Sequence, residues 1–114
     1  MNKRHCTYIL ASKRNGALYV GVTDDLVERV LDHKCNMVPG ITSQYSIHQL
    51  VYYEYRENEV SARRREQAIR QMHRVYKLEL IERNNPGWCD LYDDLMRVSQ
   101  SRQASVDNLA GSGA

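Results

Sequence analysis

A carboxylate stands where a helix should be apolar. Ala62, Ile69, Met72 and Tyr76 recur at helical spacing, and Glu66 falls inside their stripe. Moving a carboxylate toward a core is costly unless something positive meets it, so an arginine or a bound cation is implied. Around the same helix stand Arg63, Arg64, Arg65, Arg70, Arg74 and Lys77, with Glu66 as the single acid between Val60 and Lys77. Such a basic stripe suits the backbone of a polyanion, and it equally suits a solvated helix face. Two further pairs could do chemistry. Tyr8 and Tyr19 flank a turn signal at Asn15-Gly16, and Arg29 and His33 lie four residues apart on a second helix.

The elements that must hold these groups follow from local pattern. Tyr8-Ile9-Leu10 and Tyr19-Val20-Gly21-Val22-Thr23 read as the arms of a β-hairpin. Two registers are open: a tight turn at Asn15-Gly16 pairs Tyr8 with Thr23, and a four-residue loop from Ser12 to Asn15 pairs Tyr8 with Tyr19. Either puts both tyrosines on one face, because strand side chains alternate with period two. Thr23-Asp24-Asp25 can cap a helix whose apolar stripe is Leu26, Val27, Val30 and Leu31, with Arg29 and His33 along its margin. Residues 35–46 contain Pro39-Gly40 and read as a loop. Gln49 to Tyr55 is β-branched and aromatic, hence a third strand. Asn58 caps the long helix, which is predicted to run to about Arg74. A shorter helix from Lys77 to Arg83 stops at Asn84-Asn85-Pro86-Gly87, and Trp88, Leu91, Tyr92, Leu95 and Met96 form a last amphipathic helix.

Bulk composition bounds the class. The chain has 114 residues, 16 basic and 14 acidic side chains, and a net charge of +2, so the charge that matters is local. That length supports one core of modest size. Residues 1–97 are expected to form the domain, and 98–114, small, polar and unpatterned, a disordered tail. Cys6, Cys35 and Cys89 are odd in number and lack CxxC spacing, which argues against a disulfide framework and a structural zinc site. No apolar run is long enough for a membrane span, and a soluble cytoplasmic protein is expected. The fold class is α/β of the α+β type, with three strands and about four helices.

In order, Tyr8-Ile9, Tyr19-Val20-Gly21, Arg29, His33, Glu66 in a helix and Asn85-Pro86 resemble the GIY-YIG nuclease superfamily, especially its short stand-alone members, over roughly residues 6–96. The opening glycine of the first motif is absent, Cys6-Thr7 standing before Tyr8. The resemblance implies a three-stranded antiparallel sheet flanked by helices, and metal-dependent hydrolysis of phosphodiester bonds in DNA. It implies catalytic roles for Tyr8, Tyr19, Arg29, His33, Glu66 and Asn85, with Glu66 holding Mg²⁺ or Mn²⁺. One carboxylate leaves most coordination positions to water and phosphate oxygens, as suits such hard cations. Arg29 offers a planar fork to phosphate. Positive neighbours are expected to lower the Tyr8 pKa and make it the general base; Tyr19 shares that role or orients the phosphate, and His33 relays the proton. Arg63, Arg64, Arg65, Arg70, Arg74 and Lys77 would grip nucleic acid, the protein acting as a monomer or weak dimer. The rivals are a non-catalytic nucleic-acid-binding module of the same fold and a domain that meets an acidic protein partner.

Overall fold

The computed structural model describes residues 4–35, 40 and 44–97. Strand β1 (His5–Ala11) lies between β2 (Leu18–Thr23) and β3 (Gln49–Arg56), antiparallel to both, in the order β2-β1-β3. Its sequence explains its place. Every residue from Cys6 to Ala11 is buried, a run without polar alternation, which is what a strand covered on both faces requires. Cys6, Tyr8 and Leu10 point into one core with Leu26, Val30, Ile47, Leu50 and Leu95. Ile9 and Ala11 point into a second with Val20, Val51, Ile69, Ile81 and Trp88. Helix α1 (Leu26–Lys34) covers the first face, while α2 (Glu59–Gln71) and α3 (Arg74–Asn84) cover the second. A fourth helix, described over 92–97, brings Leu95 back to the first core. The expected three-stranded α+β architecture is the one observed.

Both predicted caps are in place. The Asp25 carboxylate accepts from the Glu28 amide at 3.2 Å, and the Asn58 side chain accepts from the Ser61 amide at 2.8 Å. The hairpin adopts neither expected register. Its turn closes through Ser12 N–H to the Ala17 carbonyl at 3.0 Å and Gly16 N–H to the Lys13 carbonyl at 2.9 Å, with Asn15 left-handed at φ 58. Tyr8 therefore faces Gly21, not Thr23 or Tyr19. The buried face of α1 is Leu26, Val30 and His33, and Leu31 is 45% exposed, so the stripe is rotated toward the histidine. The long helix ends at Gln71, three residues before its predicted limit, because Met72 turns extended. That bend lets Ile81 meet the second core, whereas Tyr76, predicted to be buried, faces water. Trp88 enters that core from a turn (φ 54) and not from a helix. The predicted tail, 98–114, lies outside the described residues, as do Pro39 and Thr42.

The segment after α3 finishes the outer edge of β3. A register shift at Ile9/Leu10 leaves Val51 without a partner on β1, and its carbonyl accepts from Asn85 Nδ2 at 3.2 Å. Asn85 also donates to the Cys89 carbonyl at 2.9 Å and accepts from the Cys89 amide at 3.1 Å. Leu50 N–H donates to Asp90 Oδ1 at 3.1 Å, and the Leu50 carbonyl accepts from Leu91 N–H at 2.7 Å. An edge closed in this way offers little for a foreign strand to pair with. Asn85→Ala leaves buried backbone groups unpaired and should lower the unfolding free energy by about 2–3 kcal/mol. Urea titration should show a lower midpoint at unchanged slope.

Candidate active site

Gly21 is what admits Tyr8 to the sheet. A Cβ at residue 21 would lie 2.5 Å from Tyr8 Cζ and 2.5 Å from its hydroxyl oxygen, so the phenol occupies the space a side chain would fill. Motif and period put Gly21 in the hairpin without assigning it a role; a glycine inside a strand was the available signal. With Tyr8 opposite Gly21, Tyr19 falls on the diagonal of the same face, and the two ring centroids are 6.3 Å apart. His33 enters from α1. Its Nε2 is 3.2 Å from the Tyr8 hydroxyl, and its ring centroid is 5.2 Å from that of Tyr19. His33 is fully buried, at the centre of the α1 face and not at its margin.

The protonation states follow from that burial. Burial, reinforced by Tyr19 close by, pushes the Tyr8 phenol well above the ordinary tyrosine value, and the opposing charge of Arg29 is too weak to offset it. The expectation that positive neighbours lower the Tyr8 pKa does not hold. Burial and then Arg29 hold His33 below its ordinary value, against the smaller pull of Asp32. A protonated phenol and a neutral imidazole share one proton across this contact, and the imidazole tautomer sets which of the two donates.

Arg29 is exposed and lines a cleft of about 240 Å³ with His5, Val22, Thr23, Asp24, Glu59 and Arg63. This cleft sits at the open edge of β2, between α1 and α2. Along α2, Glu59, Arg63, Glu66 and Arg70 form a row at helical spacing. Arg63 meets the Val22–Thr23 end of β2, and Arg70 Nη2 donates to the Val20 carbonyl at 3.0 Å. Glu66 stands between them on that row, so its carboxylate lies along the same edge. The same Arg70 Nη2 is 3.2 Å from Glu66 Oε2, which answers the need for a positive partner with an arginine of the same helix. Among the described residues Glu66 Oε1 makes no hydrogen bond, and it is not a buried unsatisfied atom, so solvent reaches it. A half-buried carboxylate with one free, wetted oxygen fits a hard cation that keeps most of its water. No group of three or more His, Cys, Asp or Glu side chains able to hold a metal occurs among the described residues, so the fit is to a single-carboxylate site.

Tyr8, Tyr19 and His33 thus touch one another, Arg29 acts on two of them through its charge, and Glu66 faces the same strand edge from α2. Asn85 is not brought to this group. Its side chain is spent on Val51 and Cys89 at β3, across the sheet from β2, because the bulged strand needs those bonds. Most of the basic stripe is also committed inside the fold. Arg63 pairs with Glu59 at 2.8 Å, Arg65 with Glu54 at 2.8 Å, and Arg74 donates to the Asn15 and Gly16 carbonyls, both at 2.8 Å. Arg64 and Lys77 form no ion pair among the described residues.

Residues 4–78 match the GIY-YIG catalytic domain, a span that includes Tyr8, Tyr19, Arg29, His33 and Glu66 but not Asn85, and the chain belongs to the GIY-YIG family. A UPF0213 protein of Staphylococcus saprophyticus is 33% identical over 78 residues, covering 68% of this chain and 94% of that protein. The solution NMR structure of a UPF0213 protein from Bacillus halodurans is 24% identical, with a TM-score of 0.48 over 75% of this chain and 89% of that one. Among the described residues no helix is long and apolar enough to cross a membrane.

Gly21→Ala should overpack the Tyr8 site and cost about 1–3 kcal/mol, measurable by thermal or urea unfolding. His33 makes a second prediction. Its folded pKa lies below the ordinary 6.5, so the stability it contributes is complete above that pH and is lost as pH falls through the folded value. Urea midpoints measured from pH 8 down to pH 5 should fall below about pH 6.5, and His33→Gln should flatten that limb.

Proposed function

We propose that this protein is an endonuclease that hydrolyses phosphodiester bonds in DNA with a divalent cation, Mg²⁺ or Mn²⁺, as cofactor. The observation that carries the reading is the Tyr8–His33 hydrogen bond, made under Tyr19 at the strand edge that Arg29 and Glu66 also face. A bound cation would supply charge neutralisation for the phosphoryl oxygens, and Glu66, through Oε1, is the residue that would hold it.

The remaining work falls to the chain itself. Attack on phosphorus requires water to lose a proton as the bond forms. Tyr8 is kept protonated by burial, so it acts as a relay. With His33 in the tautomer that leaves Nε2 free, the Tyr8 oxygen takes the water proton while its own passes to Nε2. As the new P–O bond forms, the P–O bond to the departing sugar oxygen breaks, that oxygen takes a proton from solvent, and the imidazolium later returns one to solvent. Arg29 opposes a charge on His33 in the free protein. A phosphate drawn onto the Arg29 fork offsets that charge, so the acceptor strengthens when substrate arrives. Tyr19, wedged against both rings and partly exposed, orients the phosphate and the water. Asn85 has no part in the chemistry.

The test is cleavage of labelled single-stranded, duplex and branched DNA with Mg²⁺, Mn²⁺ or chelator. Cleavage should need the metal. Arg29→Ala and Glu66→Ala should each slow it by about two to three orders of magnitude, and Tyr8→Phe, which keeps the ring over Gly21, by about 10²–10⁴-fold. Melting curves would confirm that the variants fold. Retarded bands without products at any metal concentration would instead mark a non-catalytic binding module.

A further inference from the structure

On the other flank of α2 from Arg29 and Arg63 lies an open cleft of about 480 Å³, lined by Arg56, Asn58, Val60, Ser61, Arg64 and Arg65. Three guanidinium groups meet there, and no carboxylate forms part of its wall. The acid close by, Glu54, stands behind them. Its Oε1 accepts from Arg65 Nε at 2.8 Å and lies 3.4 Å from Arg56 Nη1, and its Oε2 accepts the Tyr52 hydroxyl. Arg56 Nε also donates to Ser61 Oγ at 3.0 Å. Two of the three forks are therefore held in place before any ligand arrives, and one carboxylate offsets only part of three positive charges. Arg64 makes no ion pair among the described residues. A concave wall of fixed guanidinium groups suits phosphate, whose oxygens accept bidentate bonds from such forks.

We infer that this cleft anchors a backbone phosphate of the DNA strand a few nucleotides away from the bond cut at the β2 edge. The inference rests on the DNA-cleaving reading. An α-helix is about 10–12 Å across with its side chains, and a strand advances about 3.4 Å of helix axis per nucleotide. A strand crossing the first turns of α2 thus passes from the Arg29 cleft to the arginine cleft within a few nucleotides. The arginines of this region then serve two separate ends. Arg70 of α2 and Arg74 of α3 tie the helices to the hairpin, whereas Arg64 and Arg65, with Arg56 from β3, hold the strand.

The experiment measures binding, not cleavage. Fluorescence anisotropy of labelled single-stranded and duplex oligonucleotides, in chelator and across a NaCl series, compares the full chain with Arg64→Gln, with Arg56→Gln/Arg64→Gln, and with Arg83→Gln, an exposed α3 residue, as control. Arg64→Gln should weaken binding to all sequences alike and flatten the slope of log Kd against log salt by about 0.7 for single strands or 0.9 for duplex. The double variant should flatten it further, and Arg83→Gln should not. Because Arg64 makes no pair inside the fold, its variant should melt with the wild type. A folded Arg64→Gln protein with wild-type Kd and slope overturns the inference even if the wild type cuts DNA. A changed slope in a protein that never cuts supports the cleft as a phosphate anchor and removes the nuclease reading instead. Inorganic phosphate that perturbs the Arg56 and Arg64 side-chain NMR resonances as DNA does, with the slope unmoved, would assign the cleft to free phosphate and overturn it as well.

Discussion

The site depends on one close approach, the Tyr8 ring lying where a side chain of Gly21 would be. A strand pair can slip by residues at small cost when nothing distinguishes its positions, but here the phenol leans into space that only a glycine at position 21 leaves open. Once Tyr8 is locked, Tyr19 must lie diagonally beside it and His33 can reach its hydroxyl from α1. Packing and chemistry therefore share one constraint. Gly21 sets where the two tyrosines and the histidine lie relative to one another.

The second constraint is the clamping of α2. Arg65 and Arg70 leave α2 for the Glu54 carboxylate of β3 and the Val20 carbonyl of β2, and Arg74, just past the bend at the start of α3, holds the carbonyls of the hairpin turn. Exposed ion pairs are worth about 0–1 kcal/mol each, so their importance lies in geometry. The two attachments from α2 itself fix its rotation about its axis, and with it the strand edge that Glu66 faces.

Burial also sets the electrical state of the free site. A phenol and an imidazole are both held neutral, one below its ordinary ionisation and the other below its ordinary protonation. Such a pair costs little to bury because its hydrogen bond is made and no charge is stranded.

Much of this was legible from local pattern. Caps at Asp25 and Asn58, the shared face of Tyr8 and Tyr19, the three strands, and the anomaly of Glu66 are consequences of period and composition over a few residues, which neighbours in the chain dictate. What the chain alone left open was every choice among distant partners. Whether the hairpin paired Tyr8 with Thr23, Tyr19 or Gly21, whether Glu66 met an arginine, whether Asn85 served chemistry or the bulge at Val51, and how deeply His33 was buried each depended on which surfaces came together. Propensity and period act within a helical turn or a strand pair, whereas depth, dielectric and the spending of each arginine are properties of the assembled core.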